Sequence, residues 1–139
     1  MQKNPKDILK QYWGFSDFKE SQEQIITSIL AKKDILALLP TGGGKSLCFQ
    51  IPAMVTDGIC IVVSPLIALI KNQVDNLKNK GIKAIALTGG VSQDDIIDLL
   101  DNCIYGNYKF LYLSPERLQQ DLVRDRIQEM KVNLIAIDE

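Results

Sequence analysis

The run Gly42-Gly43-Gly44-Lys45-Ser46 carries the chemistry that a polyphosphate needs. The glycines allow a tight turn whose backbone N–H groups point inward, the lysine adds a full positive charge, and the serine offers a hydroxyl to Mg2+. The apolar run 35–39 reads as a buried strand leading into this turn. Lys45 and Ser46 open a helix over 45–54, whose first N–H groups and partial positive charge reach the same spot. The strict phosphate-loop pattern asks for glycine six residues before the lysine. Leu39 stands there, so the match is to the tail of the motif. A flexible glycine loop is the plainer alternative, and the strand before and helix after are the context that separates the two.

A second set of candidates is acidic. Asp138-Glu139 follows the apolar run 132–137, at a strand end. An aspartate there can hold Mg2+ through water, and the neighbouring glutamate can orient or deprotonate an attacking water. Standing alone, the pair would be two solvated acids. Ser64-Pro65 and Ser114-Pro115 form a third set, each closing an apolar strand and opening a helix. Serine at the N-cap and proline at the first helical position suit a helix start, whose N–H groups can hold a phosphate without reading sequence. Capping alone also explains each pair, and Lys71 and Arg117 taken singly are ordinary solvated residues. Their shared edge is what favours nucleic acid.

The elements that position these residues follow in order. A helix is expected over 5–13 with Gly14 as its stop, and another over 21–32 with Ser21 and Gln24 as a capping box. Strands are expected over 35–39, 59–63, 83–87, 109–113 and 132–137. Helices alternate with them over 45–54, 64–80, 92–105 (capped by Ser92 and Asp95) and 114–130. Short continuous apolar strands alternating with helices imply an α/β fold, a parallel sheet with helices on both faces. In such sheets ligands sit beyond the carboxyl ends of the strands. The loops 41–46, 64–65, 88–90, 114–117 and 138–139 all lie at that edge.

Composition bounds the rest. With 139 residues, 46% hydrophobic and 24% charged, the chain suits one globular domain. The net charge of −1 gives no global reason to expect nucleic acid, so such a partner rests on local sites. Cys48, Cys60 and Cys103 are widely spaced and there is no histidine, which supports neither a disulfide framework nor a zinc site and fits buried free thiols. Met1 is followed by polar residues, and no apolar run approaches a membrane span. The expectation is a cytoplasmic protein with no membrane partner.

Taken together, these motifs resemble the N-terminal part of a RecQ-family, superfamily 2, DNA helicase. Phe15-Ser16-Asp17-Phe18-Lys19-Glu20-Ser21-Gln22 is similar to that family's adenine-recognition motif. The resemblance gives Phe15 the stacking ring, Lys19 a nucleotide contact where the family usually carries arginine, and Gln22 the paired hydrogen bonds to adenine. Leu39 to Pro52 resembles motif I, which assigns Thr41, Gly42, Gly43, Gly44, Lys45 and Ser46 to ATP and Ser46 with Asp138 to Mg2+. Lys45 and Glu139 are the catalytic pair it implies. The stretches 63–74 and 113–118 resemble nucleic-acid contact motifs, which implies DNA contacts at Ser64, Lys71, Thr88, Gly89, Ser114 and Arg117.

The resemblance implies a P-loop, RecA-like fold and a DNA-stimulated ATPase driving 3'-5' unwinding of single-stranded or partly duplex DNA, independent of sequence. DEAD-box RNA helicases are the near alternative, and a nucleotide- or DNA-binding module that never hydrolyses is another. Residues 1–33 are expected as N-terminal helices and 34–139 as an incomplete first RecA-like domain. The chain reads as a fragment ending inside motif II, before the motif III strand that would insert between the phosphate-loop strand and the Asp-Glu strand. Such a gap leaves unpaired edges and exposed apolar faces, with local collapse, strand-swapped oligomers or a rearranged end as the expected outcomes. A fragment of this kind is expected to be inactive as a helicase on its own.

Overall fold

A computed structural model of the chain describes residues 4–39 and 44–138. The expected site residues Thr41, Gly42, Gly43 and Glu139 lie outside them. The chain forms two compact units, Met1–Asp57 and Gly58–Glu139, so Gly44 to Ser46 and the helix after them fall in the same unit as the N-terminal helices.

In the first unit, Asn4 accepts a hydrogen bond from the Lys6 backbone N–H at 2.9 Å and starts α1 (Pro5–Ile8). The chain continues through a π-helical turn, Leu9–Trp13, and stops at Gly14, whose φ of 78° is the left-handed conformation glycine adopts freely. Ile8 and Leu9 are buried there. Helix α2 (Glu20–Leu30) has Lys19 as its N-cap, two residues before the Ser21 cap that the sequence suggests. The box is made by Gln22, whose side-chain oxygen accepts from the Lys19 N–H at 3.0 Å. Helix α3 (Leu47–Val55) buries Cys48, Ile51, Ala53, Met54 and Val55, and it packs on α1 and α2.

The second unit is a parallel sheet, β1 (Ile59–Val63), β2 (Ala84–Leu87), β3 (Phe110–Leu113) and β4 (Val132–Ile137), in the order β2-β3-β1-β4. Helix α4 (Ile67–Asn79) packs on β2 and β3 through Ile70, Val74 and Leu77. Helices α5 (Gln93–Tyr105) and α7 (Asp121–Gln128) cover the core that Ile59, Ile61, Val63, Leu111 and Leu113 form with Ile96, Leu100 and Val123. This is the α/β architecture read from the alternation of elements. Among the described residues, no helix is long and apolar enough to cross a membrane.

Three further expectations are corrected. Residues 35–39 form no strand and belong to no sheet; Leu36 and Leu38 are each 88% exposed. A strand exists only where its N–H and C=O groups find a neighbouring ladder, and an apolar run does not by itself provide one. Second, Ser64 does not cap α4: its N–H still donates to Leu113 O at 3.1 Å, extending the sheet, and its hydroxyl accepts from Leu66 N at 3.2 Å in a local turn. Leu66 therefore becomes the N-cap. Third, the expected helix 114–130 is broken into α6 (Pro115–Leu118) and α7, with Gln120 extended between them. The restart costs a few backbone bonds and buries Val123 completely.

Candidate nucleotide site and nucleic-acid edge

Within the first unit, one side chain joins two of the expected nucleotide motifs. Gln22 is only 4% exposed. Its amide oxygen closes the α2 capping box, and its Nε2 donates to Gly44 O at 3.1 Å. An amide is both donor and acceptor, which is why a glutamine serves both neighbours at once. Gly44 has φ 72°, a conformation that asks for glycine, and a Cβ there would push Gln22 Nε2 aside. Lys45 and Ser46 follow directly, half-buried, at the start of α3. The stretch that resembles an adenine motif is thus tied to the phosphate-loop residues. Phe15 is 57% exposed and Lys19 is exposed, so a ring face and a cation are open to a base and a nucleotide.

Within the second unit, strand register gathers the other candidates. Leu87 pairs with Leu113, Leu113 with Val63, and Val63 with Ile137. The next residue on each strand is then Thr88, Ser114, Ser64 and Asp138, a single row at the carboxyl edge. Asp138 N donates to Val63 O at 2.9 Å, so the ladder runs one residue past the strand ends and fixes the buried Asp138. Ser114 is a true N-cap: its hydroxyl accepts from Arg117 N at 3.3 Å, with Pro115 at the first helical position. At four residues, α6 has little dipole of its own. Lys71 and Gly89 are exposed, and Thr88 is half-buried. Arg117, expected to face DNA, donates from Nη2 to Thr88 O at 2.9 Å and from Nη1 to Gln120 at 3.2 Å.

Sequence reasoning missed one buried polar link. Tyr112 on β3 donates its hydroxyl to Gln73 Oε1 on α4 at 2.7 Å, fastening the helix after Ser64 to the strand before Ser114. The signal was available: Gln73 stands among Ile70, Val74 and Leu77 on the core face of α4, where a polar residue needs a buried partner.

A family profile for DEAD/DEAH box helicases matches residues 19–139. The chain belongs to the DEAD/DEAH box helicase family. Among its relatives, this chain is 46% identical over 132 residues to the probable ATP-dependent DNA helicase RecS of Bacillus subtilis, covering 94% of this chain and 26% of that protein. It is 41% identical over 132 residues to the ATP-dependent DNA helicase RecQ of Haemophilus influenzae, covering 95% of this chain and 21% of that one. The chain therefore spans about a fifth to a quarter of the length of these relatives. In fold it resembles the DUF1998 helicase MrfA in a crystal structure with DNA and AMPPNP, at a TM-score of 0.79 and 18% identity over 99% of this chain and 21% of that one. That likeness extends the RecA-like fold to this chain.

Proposed function

We propose that this chain is the nucleotide-binding part of a RecQ-like, ATP-dependent DNA helicase, in which DNA-stimulated ATP hydrolysis drives 3'-5' unwinding by the whole protein. The observation that carries the reading is Gln22, which ties the adenine-motif stretch to the phosphate-loop residues through Gly44. The relatives named RecS and RecQ support the choice of DNA, and they suit a role in DNA repair and recombination. The proposed location is the cytoplasm, associated with the nucleoid when on DNA.

Each side chain has its task in this reading. Phe15 stacks on the base, Lys19 contacts the nucleotide, and Gln22 is assigned to adenine, whose edge would have to displace the amide's bonds to Lys19 N and Gly44 O. The Thr41 to Gly44 backbone and Lys45 hold the β- and γ-phosphates. Glu139 orients or deprotonates the attacking water. Ser46 in the first unit and Asp138 in the second each carry an oxygen of the kind Mg2+ takes, and among the described residues no cluster of acids, cysteines or histidines forms an all-protein metal cage. The ion, when held there, would supply positive charge to offset that developing on the phosphoryl oxygens. Ser64, Lys71, Thr88, Gly89, Ser114 and Arg117 are assigned to the DNA side of the carboxyl edge.

ATP turnover by the full-length protein, with and without single-stranded DNA or RNA, tests the proposal. DNA stimulation that disappears in Lys45→Ala and Asp138→Asn is expected. Equal or greater stimulation by RNA would overturn the choice of DNA.

A further inference from the structure

We infer that Arg117 is a positioning residue, which shapes the Thr88-Gly89-Gly90 loop for a nucleic-acid backbone and is not itself a phosphate ligand. The inference rests on the assignment of that loop to the DNA side, made above. The Arg117 guanidinium reaches two oxygens on separate segments, the Thr88 carbonyl at 2.9 Å and the Gln120 side chain at 3.2 Å. Its own N–H is held by the Ser114 hydroxyl at 3.3 Å. One residue therefore joins the end of β2, the end of β3 and the break between α6 and α7. A planar fork with fixed donor directions is suited to this, and a lysine ammonium is not.

The loop it holds has its own signature. Gly90 has φ 80°, which accounts for glycine there. Gly89 has no positive φ, and a Cβ built on it meets nothing within 4 Å. Neither conformation nor packing within the protein asks for glycine at 89. An exposed backbone without a side chain does allow a ligand to approach its N–H closely. Arg117 fixes the carbonyl immediately before that glycine, and so sets where its N–H points.

The test is single-stranded DNA binding by the full-length protein across a salt series, with hydrogen exchange at the Gly89 and Gly90 amides. Loss of the charge-assisted bond in Arg117→Ala is expected to weaken binding about tenfold. The slope of log K against log salt should stay unchanged, and the loop amides should exchange faster in the DNA-free protein. Arg117→Lys, which keeps the charge and loses the fork, should not restore binding. A slope smaller by about 0.7, with binding restored by lysine, would make Arg117 a direct phosphate ligand and overturn the inference. Unchanged affinity with a lowered melting temperature would overturn it too, leaving Arg117 a structural residue. Gly89 and Gly90 amides that gain no protection from DNA in the unmodified protein would overturn the loop assignment itself.

Discussion

Two apolar runs of five residues meet opposite fates in this molecule. Ile59–Val63 is paired on both sides, to β3 and to β4, and every residue in it is buried. Residues 35–39, Ile-Leu-Ala-Leu-Leu, are paired to nothing in the sheet and leave Leu36 and Leu38 almost fully exposed. Strand β4 lies between these extremes. It pairs with β1 alone, and Ile135 and Ile137 are 61% and 80% exposed. Burial thus follows pairing together with helix cover: β2 also has one neighbour, yet α4 and α5 pack on it and Ala84 and Leu87 are fully buried. Apolar composition is a condition for a parallel strand without being a cause of one.

The comparison can be broken most directly by charge. Ile61→Asp places a carboxylate at a fully buried position in β1 and should destabilise the chain by more than about 4 kcal/mol. Leu36→Asp should change stability by less than about 0.5 kcal/mol. Urea denaturation of both variants checks this, and similar losses would mean that 35–39 is packed as β1 is. A longer form of the protein that pairs 35–39 should make Leu36→Asp costly as well.

A smaller effect is expected where the sheet meets α4. Tyr112→Phe leaves Gln73 without its 2.7 Å partner in a buried site, which should cost about 1–3 kcal/mol. Adding Gln73→Leu should recover part of that loss. A double variant no more stable than Tyr112→Phe would contradict the assignment.

The least perturbing comparison uses thiols. Cys48, Cys60 and Cys103 are free and buried. Burial holds the Cys48 and Cys60 thiols above their ordinary range and pushes Cys103 up to about 12. These residues carry little thiolate, the reactive form, at neutral pH. A cysteine placed by Leu36→Cys should react with a maleimide at the rate of an exposed thiol, while the native thiols react only after denaturation. Rapid labelling of Cys60 in the folded protein would show that β1 opens.

Much of the second unit was legible in advance, because short apolar runs bounded by Ser-Pro, Asp-Gly or Gly-Asn signals coincide with real pairing there. Ser92 and Ser114 cap their helices as read. Ser64 does not, because the same Ser-Pro signal sits on a strand whose ladder runs one residue further. That difference lies in the neighbouring strand and leaves no trace in the local sequence. The expected Ser21–Gln24 box gave way to one made by Lys19 and Gln22 for a similar reason, since the Gln22 amide also answers to Gly44, 22 residues away. The motifs placed Ser64, Thr88, Ser114 and Asp138 at one edge correctly. The Arg117 bridge to Thr88 required the third dimension.

The central claim is that nucleotide binds through the Gly44 to Ser46 segment. Calorimetric titration of the full-length protein with Mg-ATP, beside a Lys45→Ala variant shown to be folded by circular dichroism, tests it most directly. Binding by the unmodified protein that is lost in the variant is the predicted result. Equal binding by the two folded proteins would contradict it and place the nucleotide elsewhere.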